Sequence, residues 1–145
     1  MTWAVLHDAC EHMNVQQILE RCETHSEEAL RVDDHLSTPL HICMWNDPPL
    51  SVVQALVQCN PHAAARQDAY GNTPLHIALY QRGNDIDVEI VKCFLNTAPH
   101  IAELADKEGM LPLHAACRHC PKNKYVINML IHTFPRALRT HIKVS

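Results

Sequence analysis

One motif, written four times, limits what this chain can fold into. The copies are Ala4-Val5-Leu6-His7-Asp8-Ala9, Thr38-Pro39-Leu40-His41-Ile42-Cys43, Thr73-Pro74-Leu75-His76-Ile77-Ala78 and Leu111-Pro112-Leu113-His114-Ala115-Ala116. Their leucines lie 34, 35 and 38 residues apart. A recurrence at this period marks stacked repeats, each burying its apolar face against its neighbours. Each copy is followed by apolar pairs three to four residues apart, the spacing of one helix face. They are Ile18-Leu19 with Cys22, Val52-Val53 with Leu56-Val57, Ile90-Val91 with Phe94-Leu95, and Val126-Ile127 with Leu130-Ile131.

The spacing within each unit fixes its order. Val53 to Asp68 and Val91 to Asp106 are both 15 residues. His41 to Val53 is 12, whereas His76 to Val91 is 15. The irregularity therefore sits between the two helices of the third unit, around Arg82-Gly83-Asn84-Asp85-Ile86-Asp87, where a surface loop can absorb it. Thr38 and Thr73 precede proline and suit an N-cap with proline at the first helical position. Pro61, Pro99 and Pro135 stop the second helices. Gly71 and Gly109 suit turn positions of positive φ. Leu36 occupies the matching place in the second unit, so a distorted tip is expected there.

Composition narrows the class. Apolar residues make up 47% of the 145, enough for one domain with a real core. No apolar run approaches the roughly 18 residues of a membrane span. The first residues, Met1-Thr2-Trp3-Ala4, have no basic segment of the secretory kind. Seven cysteines without a tight framework then predict reduced thiols in an intracellular protein, cytoplasmic or nuclear. Residues 1–106 carry 5 Lys/Arg against 15 Asp/Glu, and residues 107–145 carry 7 against 1. Such asymmetry can orient a partner or favour weak head-to-tail self-association; it is also compatible with ordinary solvated surface. The basic end lacks interleaved aromatics, so no nucleic acid is expected.

The Thr-Pro-Leu-His-x-Ala motif and its spaced second-helix pattern resemble the ankyrin repeat family over residues 4 to 138. Repeat 1 lacks Thr-Pro, repeat 4 has Leu111 for the capping threonine, and the usual glycine after the first helix is mostly absent. The resemblance implies an all-α solenoid of about four helix-turn-helix units with short hairpin-like turns. It forms a single domain over 1–145, with repeats at about 3–32, 33–67, 68–105 and 106–138 and a tail at 139–145. The chain after Phe134 begins another unit, which leaves a folded-back cap or a longer array open.

The resemblance also bears on the 12 histidines. In this family the Leu-His histidine, here His7, His41, His76 and His114, bonds the capping threonine and neighbouring backbone. With Thr38, Thr73, Gly71 and Gly109 these form a structural motif. Cys10 and Cys117 fall three residues after such a histidine, Cys43 at the small helix position and Cys22 at a second-helix leucine place. All four read as inward. The constellation His114-x-x-Cys117-x-His119-Cys120 leaves a metal-binding or redox-responsive protein as an alternative. No nucleophile-and-base signature is present, and neither an enzyme nor a cofactor is expected.

By resemblance, the working surface is the concave side, built of turn tips and first-helix ends. The tips offer Asp34, His35, Ser37, Tyr70, Asn72, Lys107, Glu108 and Met110, with Trp3 at the matching place in repeat 1. The helix ends offer Glu11, His12, Trp45, Asn46, Tyr80, Gln81, Arg118 and His119. Trp and Tyr dominate interface hot spots, so Trp45, Tyr70 and Tyr80 are expected to form the central anchor; they could instead cover gaps between repeats. The expected function is non-catalytic binding of another protein. A fragment of a longer structural array is the remaining alternative.

Overall fold

The structure, a computed structural model, describes residues 5–139. Trp3 and the tail from residue 140 onward lie outside the described residues. Four helix pairs follow in order: α1 (Val5–Glu11) and α2 (Val15–Thr24), α3 (Pro39–Trp45) and α4 (Leu50–Cys59), α5 (Pro74–Arg82) and α6 (Val88–Thr97), α7 (Pro112–His119) and α8 (Lys124–Thr133). The first helices stack as α1, α3, α5, α7 in one layer, and α2, α4, α6, α8 in a second. A solenoid of four helix-turn-helix repeats results. Leu6, Leu40, Leu75 and Leu113 are buried in the first layer, and Ile18, Val53 and Val91 in the second.

The prolines after the second helices do more than stop them. Pro61, Pro99 and Pro135 each open a 3-10 turn, Pro61–Ala65, Pro99–Glu103 and Pro135–Arg139. The turns Ser26–Leu30, Pro61–Ala65 and Pro99–Glu103 each bring the chain to a finger that reaches the next repeat. The fingers run from Asp33 to Ser37, Asp68 to Asn72 and Asp106 to Met110. Each closes with a bond from the aspartate N–H to the carbonyl four residues on, at 3.1, 2.9 and 3.0 Å. Each aspartate Oδ1 also accepts the N–H groups two and four residues ahead. One carboxylate thus satisfies two backbone donors that no helix or sheet would reach. Neighbouring fingers join through Ala69 N–H to His35 O at 2.8 Å and Lys107 N–H to Tyr70 O at 3.0 Å.

The tip of the second unit is not distorted. Leu36 adopts φ +60 beside +77 and +82 at Gly71 and Gly109. Its N–H reaches Asp33 O at 3.0 Å, as the Gly71 N–H reaches Asp68 O at 2.9 Å. The aspartate turn imposes the left-handed conformation whichever residue stands there, and a Cβ makes it costly. Leu36, half exposed, gains little from burial in return. Leu36→Gly is therefore expected to stabilise the fold by about 0.5–1 kcal/mol. An unchanged or lower urea midpoint would contradict this.

The extra residues of repeat 3 are docked rather than loose. Gly83 ends α5 at φ +56, and a Cβ there would lie 2.9 Å from His119 O. The Asn84 side chain accepts the Lys122 N–H at 2.8 Å, and Ile86 is buried. The insertion therefore ties repeat 3 to the turn between α7 and α8.

The two ends differ. Where later repeats place Leu56 with Ala63, Phe94 with Ile101 and Leu130 with Ala137, repeat 1 places Arg21 with Glu28. These two form a two-point ion pair with the Glu28 side chain 2% exposed. At the other end, Leu138 is 65% exposed at the register of Ala64 and Ala102, which are buried. Ile127 is likewise half-buried where Val53 and Val91 are fully buried.

Candidate partner-binding face

The face is held from beneath by a ladder of histidines. Thr38 N–H donates to His41 Nδ1 at 3.1 Å, and Thr38 Oγ1 lies 2.8 Å from the same nitrogen. His41 Nε2 then donates to Asn72 O, in the next finger, at 2.9 Å. In repeat 3, His76 Nδ1 takes Thr73, and its Nε2 donates to Met110 O at 2.8 Å. His7 Nε2 reaches Ser37 O at 3.1 Å. An acceptor Nδ1 beside a donating Nε2 is the neutral imidazole. Burial agrees, pulling His41 and His76 below the ordinary histidine range. In repeat 4, Leu111 has no side-chain oxygen to cap α7, yet its N–H still donates to His114 Nδ1 at 3.1 Å.

This ladder corrects two expected contact residues. Ser37 is 8% exposed and Met110 2%. They stand at the end of their fingers, where the chain turns inward to offer its carbonyl to the preceding repeat's histidine. Asn72, at the same register, is half-buried. The tip residues before them face out: Asp34, His35, Tyr70, Lys107 and Glu108 are exposed. So are Glu11, His12, Trp45, Asn46, Gln81, Arg118 and His119 at the helix ends. Some of these are engaged with neighbouring repeats. Asn46 Nδ2 donates to Ile42 O at 3.1 Å and reaches Cys10 O, while Gln81 Nε2 donates to Trp45 O at 3.3 Å.

The aromatic side chains divide in role. Tyr80 is half-buried, and its hydroxyl donates to Asp106 Oδ2 at 2.7 Å. Its ring meets the His119 ring edge-on at 4.8 Å between centroids. Burial and the Asp106 bond push its phenol well above the usual tyrosine range. Tyr80 is thus a strut that fixes the carboxylate holding the third finger. Trp45 and Tyr70, by contrast, are 47% and 63% exposed. They line a cleft of about 250 Å³ together with Asp33, His35, Ser37, Ile42 and Asp68. Tyr70 also walls a second cleft of about 260 Å³, with Asn72, Tyr80, Asp106, Lys107 and Glu108. Two adjacent clefts therefore share one exposed ring. The aspartates recur at the same offset before each tip, but their spacing does not reveal that each closes its finger.

The thiols sort by neighbour. Cys10 and Cys43 are fully buried, and contact between them, with burial, drives the Cys10 thiol far up. Cys22 is only half-buried, and Cys117 is exposed, contrary to the inward reading. At the register of Cys117, Met44 and Leu79 are covered by the following repeat; Cys117 has none over it among the described residues. Cys120 is buried instead, its thiol directed to Leu79 O at 3.7 Å. His114, Cys117, His119 and Cys120 thus diverge. Among the described residues, no group of three His, Cys, Asp or Glu is placed to hold a metal ion.

Among the described residues no helix is long and apolar enough to cross a membrane. A family model described as ankyrin repeats (3 copies) matches residues 40–138. No curated protein matches the chain. The matched stretch covers repeats 2 to 4, and α1 with α2 adds a further helix pair stacked in the same two layers.

Proposed function

Because the chain belongs to the ankyrin repeat family, whose members generally serve as protein–protein interaction modules, we propose that it recognises another protein through the finger side of its concave face. The observation that carries this reading is the pair of clefts flanking Tyr70. Their floor is already braced by backbone bonds and by Tyr80, so little ordering entropy opposes binding. The exposed rings of Trp45 and Tyr70 supply the apolar, low-entropy anchors that dominate interfaces. Asp33, Asp68, Asp106 and Glu108 line the two clefts against Lys107, which favours a partner segment with basic side chains. The activity is recognition without catalysis.

Exposed rings leave the fold largely untouched when removed, so site and scaffold separate cleanly. The double variant Trp45→Ala, Tyr70→Ala is expected to keep its helical circular dichroism and lose less than about 1 kcal/mol of stability. Its affinity for a captured partner is expected to fall at least 30-fold, or about 2 kcal/mol. Gln54→Ala, on the outer layer, is the control and is expected to bind as wild type. A folded double variant that binds the same partner undiminished would refute this face.

A further inference from the structure

Cys22 on α2 and Cys59 on α4 face each other across the junction of repeats 1 and 2. The Cys59 thiol lies 3.5 Å from Cys22 O and 3.6 Å from Ser26 O, which sets it against the Cys22 residue itself. Both residues are half-buried, so a small oxidant reaches them while bulk solvent does not surround them. Cys10 and Cys43 are neighbours across the same junction, but both are fully buried.

We propose that Cys22 and Cys59 form a reversible disulfide that latches repeat 1 onto repeat 2. The oxidant is a peroxide. One thiol, as thiolate, attacks a peroxide oxygen, breaks the O–O bond and becomes a sulfenic acid, releasing one water. The second thiol then attacks that sulfur, forms the S–S bond and expels a second water. Two thiols and one hydrogen peroxide thus give one disulfide and two waters. Two thiol equivalents from a reductant reverse it.

The surroundings set the speed and the purpose. Burial pushes the Cys22 thiol up to about 12, with the neighbouring Cys59 adding to it, and burial raises Cys59 as well. Thiolate is scarce, so the first attack is slow. Once it has happened, the partner residue is already alongside. The latch is therefore a slow, persistent one. It acts at the repeat most in need of it. Among the described residues repeat 1 packs against repeat 2 alone, and it holds an ion pair where the others hold apolar side chains. A solenoid unit with fewer packed neighbours opens first. Closing the chain between residues 22 and 59 restricts that opening, and it keeps Glu11 and His12 in place at the end of the concave face.

The test uses the whole chain with hydrogen peroxide, then blocking of remaining thiols and digestion without reduction. Trypsin is combined with cleavage at Asp47, which separates Cys43 from Cys59. The expected product is a cross-linked peptide pair containing Cys22 and Cys59. A rise in melting temperature of about 5–10 °C, reversed by dithiothreitol, is expected with it. Cys22→Ser and Cys59→Ser should each abolish the rise. Mapping on wild type is decisive even where a variant fails to fold. A bridge between Cys10 and Cys43, oxidation of Cys22 and Cys59 to separate acids, or cross-linking without any rise would each overturn the latch.

Discussion

Arg21→Ala is expected to cost about 3 kcal/mol and to loosen the first helix pair ahead of the rest of the array. Glu28 is buried, and the Arg21 guanidinium makes both hydrogen bonds to its carboxylate. Removing the arginine leaves a carboxylate with no cation in a site that water barely enters. Breaking a buried pair from one side typically costs about 3–5 kcal/mol; the partial exposure of Arg21 puts this case at the lower end. Replacing both partners is a different experiment. Arg21→Leu with Glu28→Ala copies Leu56 and Ala63 of repeat 2, which pack together without charge. The double variant is expected to recover most of the loss, since a buried pair is often no better than apolar packing of similar size. Urea unfolding of the two variants and wild type decides it. A single variant as stable as wild type would mean that Glu28 is solvated and the pair contributes nothing. Hydrogen exchange in α1 and α2 should report the local opening before global unfolding.

Acidification from pH 7.5 to 5.5 is expected to destabilise the chain through His41 and His76. Both are held neutral, with their values lowered by burial. In the unfolded chain they titrate near 6.5. Below that pH the unfolded state takes up protons that the folded state refuses, so stability falls as pH falls. The contribution is fully present above about 6.5 and is lost at about 1.4 kcal/mol per pH unit per histidine, until each folded-state value is reached. His12 acts in the opposite direction. The Asp8 carbonyl and carboxylate raise it on an exposed surface, so it offsets part of the loss. Carboxylates titrate mainly nearer pH 4, which leaves the window from 6.5 to 5.5 to the histidines. His76→Gln should flatten the slope. It should also lower stability at pH 7.5 by about 2–3 kcal/mol, because Thr73 and the Met110 carbonyl lose a buried partner. Stability that is flat or rising on acidification would show that these rings accept protons in place.

How far the sequence could be read follows from what repetition records. Leu6, Leu40, Leu75 and Leu113 recur in step, and every one is buried. The helix pairs, the inserted residues of repeat 3 and the family itself were legible for the same reason. The finger aspartates were visible as a recurring residue, but their work was not. It depends on two N–H groups converging on one oxygen, which is a property of backbone conformation. The Leu36 tip misled because glycine is the usual sign of a left-handed residue and leucine is not. Arg21 and Glu28 gave no signal for another reason. Charged residues read as surface, and only their juxtaposition makes one of them core.

The candidate face was readable as a band of positions and unreadable in detail. Ser37, Asn72 and Met110 share one register and serve one purpose, offering a carbonyl to the previous repeat's histidine. Tip position alone does not distinguish them from Tyr70 or Glu108. Tyr70 and Tyr80 look equivalent along the chain, yet one is an exposed ring and the other a strut on Asp106.

By itself, the sequence determined the unit: its two helices, its inward leucines, its caps and the order of its parts. Local spacing and helix geometry suffice for that. The tertiary structure alone decided which copy of a given position is buried. His41 and His114, or Met44 and Cys117, stand at the same place in their repeats and differ in exposure. In a stack of repeats burial belongs to the neighbour that covers a residue, and the chain's own pattern does not contain that neighbour.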